Sequence, residues 1–148
     1  MIFGSFTWTS FRQHLVASEE LYAKYKDDIQ FLIVYTIEAY PVGSPCPYSG
    51  KETIVDSSTT PDPLGLPIKQ PETYEERVDQ ATNCKWGLGI TIPMLIDDVD
   101  NAVWCTYGPA SNIAYLIGTD GTVIEKQPYY IPEEMEVSVL EYVRANLM

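Results

Sequence analysis

An α/β fold around a central mixed sheet is what this sequence predicts, and three observations predict it. Helical periodicity over residues 9–26 lies between two short apolar runs, Ile2–Phe6 and Gln30–Ile37, in the order of a right-handed strand–helix–strand unit. The second run, Gln-Phe-Leu-Ile-Val-Tyr-Thr-Ile, is almost continuously apolar or β-branched, as suits a strand buried on both faces of a parallel sheet. Farther on, Thr119-Asp120-Gly121 separates Ile113–Ile117 from Thr122–Lys126 and carries the Asp-Gly cue of an antiparallel hairpin.

Taken in order, Ile2 to Phe6 reads as the last half of a buried strand. Phe11, Leu15, Ser18, Tyr22 and Tyr25 then recur at helical spacing with Glu19, Glu20, Lys24 and Lys26 between them, an amphipathic helix from about Thr9 to Lys26. After the second strand, residues 40–71 hold seven of the eleven prolines together with Gly, Ser and Thr, which marks a long irregular insertion. Pro71-Glu72-Thr73 starts a second helix, with Tyr74, Val78 and Ala81 as its face and an end around Asn83. Thr91–Ile96 is a short strand containing Pro93. A proline there needs an edge, a bulge or a cis bond, and a cis Ile92–Pro93 bond facing the Trp8 turn is the expectation. Ile131-Pro132-Glu133-Glu134 opens the last helix, with Met135, Val139, Leu140 and Val143 toward the core. With the Pro93 strand counted beside the hairpin, the order βαβ, insertion, α, βββα is that of a thioredoxin-like fold, as one domain over residues 1–148.

Length and composition agree: 148 residues, 45% hydrophobic and 20% charged, suit one core that needs neither disulfides nor metals. A net charge of −12 repels phosphate backbones and anionic lipid, so nucleic-acid and membrane partners are not expected. No apolar run has transmembrane length and no leader pattern precedes the first strand, which points to the cytoplasm. Cys46, Cys84 and Cys105 are odd in number and lack Cys-x-x-Cys spacing, so neither a disulfide framework nor a zinc set is expected, and nothing calls for a cofactor. His14, the single histidine, reads as a half-packed helix residue. Asp97, Asp98, Asp100 and Asn101 look like a cation loop, but without the EF-hand glycine and distal glutamate they read as a solvated turn.

Residues 3–12, Phe-Gly-Ser-Phe-Thr-Trp-Thr-Ser-Phe-Arg, have the wording of a redox active-site turn. There a cysteine or selenocysteine takes the first helical position, where unpaired N–H groups and a partial positive charge stabilise the anion. Trp8 fills that position, and an indole has no thiol chemistry. Cys46, in Ser44-Pro45-Cys46-Pro47-Tyr48, is the surviving candidate for a reactive thiol, against the plainer reading of a spectator on a loop. Cys84 reads as a small core residue and Cys105 as buried. Glu38 lies just past the second strand, at the sheet edge where α/β folds place ligands. Tyr129 and Tyr130 read as packing for the last helix.

Four stretches carry a resemblance to a known family. They are Phe3–Phe11, Tyr35-Thr36-Ile37-Glu38-Ala39-Tyr40-Pro41, Ile92–Asn101, and Ala114-Tyr115-Leu116-Ile117 leading to Asp120-Gly121. In this order they resemble the iodothyronine deiodinases and their microbial relatives over nearly the whole chain. The resemblance implies that Ser5, Thr7, Tyr35 and Glu38 match polar residues of the family's active-site network, with Pro93 at the cleft. It implies that Trp8 stands where the family has its selenium or sulfur nucleophile and Tyr40 where it has a histidine. A substrate-clamping arginine near Ile113 is lost. Trp8 is then either a true substitution or the product of a selenocysteine codon, UGA, one base from UGG, and the change at Tyr40 favours divergence. Two functions follow: a non-catalytic small-ligand domain, or a thiol- or selenol-dependent dehalogenase or peroxidase. The family's domains have residues before the strand that starts here, so a chain shortened at its front would leave the sheet open to pairing as a homodimer.

Overall fold

In the computed structural model, residues 1–43, 47, 68–107 and 112–146 are described. Five strands form one mixed sheet in the order β3-β2-β1-β4-β5. They are β1 (Ile2–Gly4), β2 (Ile33–Tyr35), β3 (Met94–Ile96), β4 (Ala114–Ile117) and β5 (Val123–Gln127), with helices α1 (Thr9–Tyr25), α2 (Tyr74–Leu88), α3 (Ala102–Tyr107) and α4 (Pro132–Asn146) between and after them. β1 pairs in parallel with β2, and β2 with β3, while β4 runs antiparallel to both β1 and β5. The architecture is the thioredoxin-like one that the element order predicts.

Strand alternation sorts the core into two layers. Ile2, Ile33, Tyr35, Ala114 and Leu116 pack with Phe11, Leu15, Leu21 and Tyr25 of α1, Ala81 and Cys84 of α2, and Met135, Val139 and Val143 of α4. Phe3, Val34, Ile113 and Tyr115 face the other way and meet Val103 and Tyr107 of α3. The rings of Phe3, Tyr107 and Tyr115 close that side as a triad with centroids 5.5–6.0 Å apart.

Several expectations change. The Pro93 strand does not belong with the hairpin: β3 lies at the far edge, parallel to β2, and α3, which has too short a run to show periodicity, separates it from β4. Among the described residues no peptide bond is cis, so Ile92–Pro93 is trans. Pro93 needs no special geometry because it sits just before an edge strand and contributes only its carbonyl, which accepts from Ile33 N–H at 2.9 Å. The second helix runs one turn beyond Asn83, to Leu88, and ends on Gly89 in the left-handed region at φ 66°. It begins at Tyr74, with Thr73 as N-cap and Thr73 and Glu76 forming a reciprocal capping box, so Pro71 and Glu72 precede the helix and do not form its first turn. Its inner face is Arg77, Ala81 and Cys84, while Tyr74 is 44% exposed.

β1 ends where it must on Gly4. A Cβ there would lie 2.2 Å from Cδ2 of Phe11, so the first turns of α1 can close on the strand only over a glycine. Gly4→Ala is expected to destabilise the protein by about 1–3 kcal/mol through overpacking. Its urea midpoint should fall with an unchanged m-value, and Phe11→Leu in the same chain should recover part of the loss.

Candidate functional site

Past the C-terminal ends of β1 and β2 two backbone segments come together, residues 5–8 and 36–40. Thr36 N–H donates to the Gly4 carbonyl at 3.0 Å and Tyr40 N–H to Thr7 Oγ1 at 3.0 Å. Between them lies Glu38, with no exposed surface. Its Oε2 accepts from Thr7 N–H at 2.8 Å and from Thr7 Oγ1–H at 2.6 Å; its Oε1 accepts from the Tyr35 hydroxyl and from Gln80 Nε2 at 2.7 Å. Four donors are the full complement of an ionised carboxylate, the condition under which a charge can be buried. The Glu38 backbone is clamped as well, its N–H by Gln70 Oε1 at 2.9 Å and its carbonyl by Gln70 Nε2 at 3.2 Å.

Burial dominates the electrostatics. It pushes the Tyr35 hydroxyl well above its ordinary value, with the Glu38 charge acting in the same direction. It likewise raises the Cys84 thiol, with Glu38 adding and Arg12 opposing. Burial lowers the Arg12 and Arg77 guanidinium values, against the neighbouring Glu38 carboxylate. Both phenol and thiol therefore hold their protons.

Trp8 is not the expected first helical residue but the N-cap of α1, one position before Thr9, with extended φ −80° and ψ 108°. Its ring stacks on that of Tyr40, centroids 5.3 Å apart and planes within 5°. Both rings are half-buried. An aromatic pair thus fills the mouth of the turn above the Glu38 network.

Of the residues expected here, Thr7, Trp8, Tyr35, Glu38 and Tyr40 come together. Ser5 joins them as a buried residue whose carbonyl accepts from Trp8 N–H at 3.2 Å. Pro93 does not. It precedes β3 at the N-terminal end of the parallel strands, about 10 Å of strand away from the turn. The residue that enters the antiparallel strand beside the turn is Asn112, level with Gly4. Cys46 lies outside the described residues. Cys84 is buried as expected, but Cys105 is exposed, on a helix with no buried residue. His14 is half-buried as expected.

Sequence reasoning missed Gln70, Gln80, Arg12 and Arg77. The two glutamines gave no signal, being polar residues of a loop end and a helix face. Arg77 broke the helical pattern and was displaced from the inner face for that reason. Its Nη1 reaches the carbonyls of Asp97 and Asp98 at 3.2 and 2.5 Å and Asn101 Oδ1 at 2.9 Å. The acidic turn is accordingly not simply solvated: an internal guanidinium takes the place of a cation. Asp97 itself is buried, its two oxygens capping α3 by accepting from Val103 and Trp104 N–H at 3.1 and 2.8 Å. No group of side chains able to hold a metal ion occurs among the described residues, and none of their helices is long and apolar enough to cross a membrane.

No family model matches the chain. It is similar to the thyroxine 5-deiodinase of Ovis aries, 29% identical over 122 residues, which cover 82% of this chain and 36% of the relative. It is equally similar to that of Bos taurus, 29% identical over 122 residues, covering 82% of this chain and 35% of the relative. The chain thus spans about a third of the length of these curated relatives. The similarity supports a deiodinase-like relationship.

Arg77→Ala should destabilise by about 3 kcal/mol, since one buried and two partly buried acceptors lose their donor. Urea unfolding measures it. A second expectation concerns alkali. Tyr35 and Cys84 have folded values raised above their ordinary 10.0 and 9.0, so above about pH 9 the unfolded chain releases protons that the folded chain keeps. The stabilisation is complete below the unfolded values and declines as pH rises through them. Stability measured from pH 8 to 11 should fall, and fall less steeply in Cys84→Ala.

Proposed function

We propose that this chain is a diverged deiodinase-like protein in which the redox position has become part of a small-ligand binding site. The observation that carries the reading is the Trp8–Tyr40 stack at the N-cap of α1. An indole offers no lone pair that can attack halogen or peroxide, so the helix N-terminus has no anion to stabilise. All four acceptor positions of Glu38 are taken by protein donors. Cys84 is protonated and sealed in the core, and Cys105 lies on α3, against the opposite face of the sheet. Half-buried faces of Trp and Tyr instead suit a planar ring, whose stacking is favourable beyond the area it buries.

A second reading has one observation in its favour. The Thr7–Glu38–Tyr35 network around the nucleophile position is intact although nothing nucleophilic uses it. If Trp8 stands for selenocysteine, or if Cys46 supplies the thiol, the protein is a thiol- or selenol-dependent oxidoreductase, a reductive dehalogenase or peroxidase.

Dehalogenase and peroxidase assays under a dithiol reductant separate the two. The Trp8 protein is expected to show no turnover above background and to bind an iodinated phenol with quenching of tryptophan fluorescence that Trp8→Phe diminishes. Turnover by the Trp8 protein would overturn the binding reading, and its loss in Cys46→Ser would assign the chemistry to the insertion. Trp8→Cys should give a thiol alkylated faster than Cys84 or Cys105 and titrating below the ordinary value of about 8.5.

A further inference from the structure

α1 is apolar toward the sheet except along one line. Ser10, His14 and Ser18, at successive turns, face the β5–α4 connection and the entry to β4. Tyr129 OH donates to Ser10 Oγ at 2.7 Å, Ser18 Oγ and Tyr130 OH bond at 3.1 Å, and the imidazole of His14 stands nearly perpendicular to the rings of Tyr129 and Tyr130, 5.9 and 6.2 Å away. Asn112 closes this seam. Its carbonyl accepts from Tyr130 N–H at 2.7 Å, and its Nδ2 lies 3.3 Å from the Tyr130 carbonyl and 3.4 Å from His14 Nδ1. Its Oδ1 is buried and meets no donor among the described residues.

One amide nitrogen can donate to both Tyr130 and His14 only while His14 Nδ1 is bare. Protonation puts a hydrogen on Nδ1, and donor would then face donor. Turning the amide by half a revolution relieves the conflict and gives the orphaned Oδ1 the partner it lacks, which offsets a desolvation cost. The same turn withdraws the donor from the Tyr130 carbonyl and sets oxygen against oxygen there. The two hydrogen-bonded arrangements exclude each other, and the protonation state of His14 selects between them.

We propose that His14 and Asn112 form a pH-operated latch, in which protonation of His14 moves the Asn112 amide from Tyr130 to His14 and loosens the β5–α4 connection from the entry to β4. The groups facing the imidazole are the phenols of Tyr129 and Tyr130 and the Asn112 amide. Glu133 at the start of α4 acts on Tyr130, and Arg12 lies two residues away on α1. Tyr129, next to the carbonyl that is freed, stays bonded to Ser10 in the first turn of α1. The latch stands apart from the ligand reading above, because it uses neither Tyr40 nor Glu38.

The test is NMR of the uniformly labelled chain from pH 8 to 5, the range in which imidazoles ordinarily change charge. The Asn112 side-chain NH2 resonances are expected to shift with the midpoint of the His14 ring protons. The Tyr130–Asn112 pairing loses one of its two bonds, so the protection factor of the Tyr130 amide, which makes the other, should fall roughly tenfold across the same range. Both changes should vanish in His14→Gln. Asn112 resonances that stay still while His14 titrates, unchanged protection of Tyr130, or the same changes in His14→Gln would each overturn the latch. The wild-type titration decides alone if the variant does not fold.

Discussion

The burial of the Glu38 carboxylate is the constraint on which the site depends. A charge with no solvent contact persists only where donors are fixed around it, and here they come from three directions: Thr7 before α1, Tyr35 at the end of β2, and Gln80 on α2. Satisfying one side chain therefore sets the spacing of two strand ends and a helix. Gln70 extends the constraint to the backbone, and with Val42 N–H donating to the Ile68 carbonyl at 2.7 Å it pins both stems of the insertion to the sheet. Loss of any donor would leave a buried carboxylate oxygen one hydrogen bond short, which is why the network behaves as a unit.

Arg77 does for the next loop what those donors do for Glu38. Its guanidinium gathers the carbonyls of Asp97 and Asp98 and the side chain of Asn101, and so fixes a turn in which Asn101 adopts φ 58°. That turn aims the Asp97 carboxylate at the first N–H groups of α3, which closes the second face of the sheet. Two buried charges of opposite sign, one on a loop and one on a helix, thus anchor the N-terminal half of α2.

Beside this polar frame lie an aromatic stack and a buried amide. Trp8 and Tyr40 stack on each other, and Asn112, beside the turn, directs its amide into the α1 seam.

The sequence by itself determined the strands, the long helices and the hairpin, because periodicity, capping residues and Asp-Gly are local signals. Phe11 and Leu15 of α1 and Met135, Val139 and Val143 of α4 are buried as their spacing demands. It also placed Thr7, Tyr35 and Glu38 together through a motif, since they lie at the ends of adjacent strands. Tertiary structure alone decided that β3 joins the far edge, where Pro93 is accommodated in trans, because strand order depends on which edges remain open after the other strands pair. It alone decided that Arg77 turns inward and Tyr74 outward, since a buried guanidinium is tolerated only where carbonyls from a distant loop converge on it. Local pattern cannot report such acceptors, which lie more than twenty residues along the chain.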